Sequence, residues 1–593
     1  MDPLTLYSER LAERTAVLLA VERQGGRVAS VRLLVFLLAA WALWAVLTGR
    51  APWQLLGIPF VLFLVLIAIH GRLERRAERA KRSIRFYQRG LGRLRGTWQG
   101  TGETGERFID PHHPYAVDLD LFGRGSLFEL ISTARTKGGE ARLAQWFLQG
   151  ASAETIVARH AAVAELRGLV DWREELSILG DDYRRAVNPD ALSAWATAAP
   201  SPFHSASRTL AFGLSLIAFG VLAWWVSTAF VGVEPRLAML PVGIAEGLFF
   251  WAYRHRIAAI ANGIDEPAAD LDLLSKLLAS VEAQSFEAPL LKATWAKLEI
   301  AGHPASQRIA RLRRWKELLD STDNVVLRIV GPLLLWTTQI AMALENWRSE
   351  NGRFIPGWLD ALSEIEALSS LAGYAYENPT DPFPRMVSEG PHFEAVKACH
   401  PLLPRDRAVG NSIDLSAPTR LYIVSGSNMS GKSTLLRTLG TNAVLALAGA
   451  PVRAEQLTLS ALSIGASIRT TDSLEEGHSR FMAEILRLKQ VLELPAPVLF
   501  LLDELLHGTN SHDRSIGSEG LVRALLDRGA IGLVTTHDLS LSRVAEQLNP
   551  TARNVHFEDR LEGGRLIFDY TMRDGVVTRS NALDLMRAVG LNV

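Results

Sequence analysis

Residues 421–436 read LYIVSGSNMSGKSTLL, and this stretch decides the fold. LYIVS is short, apolar and β-branched, so it reads as a buried strand. Gly426-Ser427-Asn428-Met429-Ser430-Gly431-Lys432-Ser433-Thr434 follows at once and fits GxxxxGK[ST]. Leucines at helical spacing come next. Phosphate recognition needs a strand, a glycine-rich loop and a helix in that order. The glycines let backbone amides converge on phosphate oxygens, and the helix adds its positive end. The nine loop residues therefore read as an ATP-binding segment. Lys432 is expected to reach the β- and γ-phosphates, and the Ser433 hydroxyl to ligate Mg²⁺.

Working outward, residues 498–502 (VLFLL) and 531–535 (IGLVT) are further buried strands. The first ends in Asp503-Glu504, which places one carboxylate near a metal and the next near an attacking water. Asp503 is expected to hold Mg²⁺, directly or through water, and Glu504 to polarise the water. Thr535-Thr536-His537-Asp538 closes the second strand, setting His537 at a strand's carboxyl edge to sense or stabilise the γ-phosphate. Glu504, His537 and Lys432 are the expected catalytic set. Strands spaced by helices imply a parallel sheet covered on both faces. Residues 377–593 thus read as an α/β P-loop ATPase domain, opened by the turn-rich linker ENPTDPFP at 377–384.

These motifs resemble those of MutS-family ATPases. GSNMSGKSTLLRT is similar to that family's phosphate loop, whose Asn-Met pair sets it apart from most others. DELLHGTNSHD at 503–513 resembles its Asp-Glu segment, and TTHD its Thr-His switch. EGHSRFMAE at 476–484 is similar to the segment in which a Ser-containing turn reaches the γ-phosphate of the opposite subunit. The resemblance therefore implies a homodimer with composite sites, ATP and Mg²⁺, and Ser479 acting in trans. Locally, Ser479 reads equally well as the N-cap of the helix FMAEILRLKQVL, and the two roles are compatible. Residues 118–149 are similar to the start of the family's helical core, and ACHP at 398–401 to the lead-in to the ATPase. The likeness covers 118 to about 182, and 319 to the C-terminus. Nothing before Asp118 resembles a mismatch-reading domain, and no Phe-x-Glu wedge occurs there. No aromatic precedes Gly410-Asn411 to stack on adenine as in many relatives.

The chain has 593 residues, with 63 basic and 63 acidic side chains and a single cysteine, Cys399. That length implies roughly three or four domains. Zero net charge removes any global pull toward nucleic acid, and a lone cysteine excludes intramolecular disulfides and Cys-rich metal sites. Apolar runs at 33–48, 55–69, 209–230 and 237–253 form two hairpins. Each is near the roughly 20 residues that span a bilayer, and the first three show no polar stripe. The blander reading is four buried helices of a soluble core. Residues 71–95 (GRLERRAERAKRSIRFYQRGLGRLR) are densely basic, and Arg27, Arg32, Arg208, Arg254 and Arg256 flank the runs. By the positive-inside rule both termini and the long connection face the cytoplasm of a bacterial-type inner membrane. Glu246 lies inside the fourth run.

Residues 1–30 then read as a cytoplasmic helix, 31–70 and 208–253 as transmembrane hairpins, and 71–117 as a juxtamembrane segment. Residues 118–207 and 254–376 read as an all-α core or lever, with 325–344 as a buried core helix. Arg308 to Lys316 (RIARLRRWK) is the soluble stretch best suited to DNA, and a solvated helix face is its bland reading. The expected function is a membrane-anchored ATPase coupling ATP to lever movement, with the lipid bilayer and DNA as candidate partners. A transporter and a membrane scaffold not acting on DNA are the alternatives.

Overall fold

The computed structural model describes residues 2–186, 188–199, 203, 205–228, 236–321, 331–427, 429–469, 480–506, 510–537, 539–562 and 565–577. Two compact units divide the chain. Residues 1–133, 143–170 and 369–593 form the first, and 134–142 with 171–368 the second.

The first unit begins with helix α1 (Pro3–Leu47), capped by the Asp2 carboxylate, which accepts from the Thr5 amide. It runs unbroken for 45 residues, about 68 Å at 1.5 Å per residue. Helix α2 (Gly57–Leu94) returns alongside it. One seam is buried, formed by Tyr7, Val21, Val35, Ala42 and Ala45 with Leu66, Leu73, Ala80, Tyr87 and Leu91. Outside the seam the apolar residues are open: Trp41 is 66% exposed and Ile58 79%. Only 6% of the apolar stretch of α2 is buried. An apolar band on that scale is unfavourable in water and marks an interaction surface. Both helices are long and apolar enough to cross a membrane, as is Ala206–Trp225 in the second unit. At the opposite end of the pair Tyr7, Phe86, Tyr87, Leu91 and Val170 cluster, with Tyr376 against them. There Arg93 donates twice to Glu377, at 2.6 Å each, and the Tyr7 hydroxyl donates to the same carboxylate at 3.3 Å.

The second unit is helical but for the two-residue strands Glu299–Ile300 and His303–Pro304, which pair antiparallel. Helices α3 (Ser205–Thr228) and α4 (Arg236–Gly263) pack together, and Ala211 and Phe249 share a cluster with Leu335 and Met342. Glu246 is buried in α4 with its Oε1 unpartnered. Helix α5 (Asp265–Glu282) buries Leu271, Leu274, Leu278 and Val281, one face at helical spacing, and packs on α6 (Ala305–Asp320). Helix α7 (Trp336–Asn351) follows Leu335, whose φ is +45°. Of the apolar stretch 325–344, residues 325–330 lie outside the described residues; Ile340 to Leu344 are buried in α7. Helix α8 (Ile355–Glu377) ends at the linker.

Beyond it the first unit becomes α/β. Strands β1 (Phe393–Ala398), β2 (Asn411–Leu415) and β4 (Gln456–Leu459) form a small sheet with the two-residue strand Arg385–Met386. The main sheet contains β3 (Leu421–Ser425), β5 (Ser463–Ser467), β6 (Val498–Asp503) and β7 (Ile531–Thr536), all parallel. Its order is β9-β8-β3-β7-β6-β5, where β8 (Ala552–Glu562) pairs parallel to β3 and antiparallel to β9 (Arg565–Asp574). The strands at 421, 498 and 531 stand where their apolar, β-branched runs place them. Helix α9 (Lys432–Ala448) covers one face, packing on β6. On the other, α10 (Arg480–Glu493), α11 (Ser511–Asp527) and α12 (Leu539–Gln547) set Val491, Val522 and Val544 into a core with Ile423, Phe500 and Val534. Burial on both faces explains why these strands read as continuous apolar runs.

Candidate functional site

The carboxyl ends of three strands are in register: Thr536 of β7 pairs with Ser425 of β3, and Thr535 with Asp503 of β6. Motifs distant in sequence thereby open onto one sheet edge. The chain leaves β3 through Gly426 at φ +149°, where a Cβ would meet Ser430 Oγ at 2.9 Å and Phe557 O at 3.0 Å. Gly431, at φ +108°, precedes α9, and a Cβ there would lie 3.2 Å from the Tyr570 ring.

Lys432 is buried, and its Nζ donates to Gly426 O and Ser427 O at 2.9 Å each. Burial pulls its pKa down, while Glu504 and Asp503 oppose that. The Ser427 and Ser430 hydroxyls are buried with no hydrogen-bond partner. Buried polar groups are normally satisfied, so these two call for a ligand. Hydroxyls, an ammonium and the start of a 17-residue helix together suit phosphate oxygens. Beside them lies a cavity of about 580 Å³, lined by Met429, Gly431, Lys432, Ser433, Thr434 and Glu504, with His400, Asn411, Phe557 and Tyr570.

The acidic motif is held from β7. The Thr535 hydroxyl donates to Asp503 and accepts from the Glu504 amide at 3.1 Å. Glu504 and Leu506 have φ of +48° and +59°, a state costing about 1–3 kcal/mol for a residue with a side chain. The cost is met by fixed partners: the Glu504 carboxylate pairs with His537 Nε2, and the Leu506 amide donates to Glu484 of α10. Among the expected residues, Gly426, Ser427, Met429, Ser430, Gly431, Lys432, Ser433, Thr434, Asp503, Glu504 and His537 all stand at this edge. Asn428 and Ser479 lie outside the described residues, as do 507–509 and Asp538.

Sequence reasoning missed Thr535, Glu484 and Tyr570. Thr535 sat inside the quoted TTHD motif but was given no role of its own. Tyr570 arrives from β9 and is pinned by Asn411, whose Nδ2 donates to Tyr570 O and whose Oδ1 accepts from the Met572 amide. An aromatic does face the cavity, although none precedes Asn411 in sequence. Upstream, Asp118 accepts from the amides of Ile468 and Arg469, and Asp120 pairs with Arg469 and with Arg437 of α9. The 118–120 segment is thus stitched to the exit of β5.

A parallel sheet with a glycine loop leading into a helix, and an acidic strand end two strands away, defines a P-loop domain. The MutS domain V family model matches residues 422–592. The chain is 34% identical over 239 residues to the endonuclease MutS2 of Thermus thermophilus, covering 40% of this chain and 31% of that protein. It is 32% identical over 238 residues to the DNA mismatch repair protein MutS of Shouchella clausii, covering 39% of this chain and 27% of the relative. With the mismatch repair protein MutS of Lactobacillus acidophilus it shares 28% over 253 residues, or 29% of that protein's length. These matches span less than a third of the relatives' lengths. The likeness to MutS-family proteins lies in the C-terminal part of the chain.

Proposed function

We propose that the protein is a bilayer-anchored ATP hydrolase of MutS type, working as a homodimer with composite sites. The observation that carries the reading is the pair of orphaned hydroxyls, Ser427 and Ser430, beside Lys432, at the edge where Glu504 meets His537. Lys432 would release the Gly426 and Ser427 carbonyls to grip phosphate oxygens. Ser433 and Asp503 are the residues to hold Mg²⁺, which when bound neutralises charge on the phosphates. Glu504 orients water as a hydrogen-bond acceptor, and His537 steers the Glu504 carboxylate. Tyr570 and His400 offer the base a wall. Ser479 completes the site of the opposite protomer, and ATP turnover moves the helical region. The exposed apolar bands of α1, α2 and α3 support the anchor.

DNA is proposed only as a weak ligand, by analogy with relatives named for mismatch repair. In the stretch Arg308 to Lys316, Arg313 pairs with Asp272 and Glu317, Lys316 with Asp265 and Asp320, and Arg308 bonds Asn351. Few cations there remain for phosphates, so affinity should be low and fall steeply with salt. The test is ATP hydrolysis by detergent-purified full chain with Mg²⁺, alone and with matched, mismatched and branched duplexes. Turnover without DNA, lost in Lys432→Ala, is expected. Absence of turnover under every condition would overturn the reading.

A further inference from the structure

A groove in the second unit is unused by the nucleotide site. Arg208, Phe212, Leu216 and Phe219 share one face of α3, and Trp315 of α6 and Trp336 of α7 stand opposite. They border a cavity of about 320 Å³, within the usual range of roughly 300–1,000 Å³ for ligand pockets. Its polar floor is internally engaged: Ser215 Oγ donates to Leu334 O at 2.7 Å and accepts from Gln339 Nε2 at 2.8 Å. Trp336 Nε1 donates to Leu318 O at 3.0 Å. The groove therefore asks for an apolar occupant. Among the described residues the one charged lining residue is Arg208, which is exposed and stands where the apolar run of α3 begins.

We propose that this groove binds one phospholipid, its acyl chain along Phe212, Leu216 and Phe219 and its phosphate on the Arg208 guanidinium. This rests on the membrane reading of α3. Two observations select lipid as the occupant. Phe212, Leu216 and Phe219 are 61%, 62% and 57% exposed, so the groove is continuous with the face that α3 presents outward. From Arg208 to Phe219 the helix rises about 17 Å, close to the roughly 15 Å depth of one hydrocarbon leaflet. A chain lying along the groove thus places its headgroup at the guanidinium fork, which matches phosphate geometry. A net anionic headgroup is favoured, because the charge that the described lining presents, Arg208, is positive.

Native mass spectrometry of the full chain in detergent, with phosphatidylglycerol or phosphatidylcholine added, tests this. The wild type should retain one phosphatidylglycerol per chain, preferred roughly tenfold over phosphatidylcholine. Arg208→Gln should abolish the preference, and Phe212→Ala should lower retention of both lipids. ATP turnover without lipid should stay unchanged in both variants. Equal retention of the two lipids by the wild type, or a preference surviving Arg208→Gln, overturns the proposal. So does a chain that fractionates with membranes but retains no lipid. Recovery in the soluble fraction would instead bring down the membrane reading, which separates the two failures.

Discussion

Thr535 touches both acids of the site, so its hydroxyl should matter out of proportion to its size. Thr535→Val keeps the shape but takes a donor from Asp503 and leaves the Glu504 amide only its longer bond to Thr535 O, at 3.3 Å. We expect ATP turnover to fall roughly tenfold with nucleotide affinity nearly unchanged; an equal loss of affinity would make the residue a general support only. Lys432→Ala should weaken ATP binding by roughly 10- to 100-fold, measured by titration. Glu504→Gln should retain ATP while slowing hydrolysis by about 10²–10⁴. His400 gives a pH prediction. Burial, helped by Arg437 and Arg453, holds its pKa at about 4 against an ordinary 6.5. The unfolded chain takes up a proton as pH falls through 6.5, and the folded chain only near 4. Stability is therefore complete above 6.5 and lost across that window, by up to about 3 kcal/mol. His400→Asn can still accept the Leu402 amide, as Nδ1 does now, and should flatten the fall of Tm with acid. At this scale the loop, Asp503, Glu504 and His537 were legible because each sits at a fixed offset from an apolar strand. Tyr570 was not, because only β9 pairing and a hydrogen bond from Asn411, 159 positions away, bring it in.

Among elements, the base of the α1–α2 pair joins the two long apolar helices to the last turn before the α/β part. Arg93 and Glu377 are both nearly out of solvent, with 11% and 3% of their side chains exposed. Removing one partner strands the other's charge. Arg93→Ala should destabilise the first unit by about 3–5 kcal/mol, whereas Arg93→Met with Glu377→Leu should recover most of that. Thermal unfolding of the three proteins decides it; a double variant no better than the single would show that the pair is more than a charge balance. Strands β3, β6 and β7 were readable from composition, since burial on both faces demands apolar, β-branched runs. β5 (SIGAS) and the β8–β9 hairpin were not. The small residues of β5 and the charged ones that interrupt β8 carry little intrinsic strand preference, and these two segments are strands because β6 and β3 offer edges to pair with. The long helices were legible only in part: the apolar cores announced themselves, while their continuation through polar sequence depends on the buried seam.

For the whole molecule, charge asymmetry predicts topology. A reporter placed near Gly150 should be cytoplasmic and one at Pro52 external, read by protease protection. A cytoplasmic signal at both sites would mean that the apolar bands face another protein. Mixing Ser479→Ala with Lys432→Ala chains should restore partial turnover, since such heterodimers keep one complete site; no rescue in proven heterodimers would count against action in trans. The unbroken course of α1 has a geometric consequence for any such pair. Its 45 residues pass from the docked base to the apolar tip without a joint, so the first unit of every copy stands the same way up. In the proposed bilayer-anchored homodimer the two copies can then be related only by a dyad perpendicular to the plane of the lipid. An in-plane dyad would turn one anchor outward. For that proposed dimer, encounter is a matter of copies per area rather than per volume, and dilution of the surrounding solution leaves it untouched.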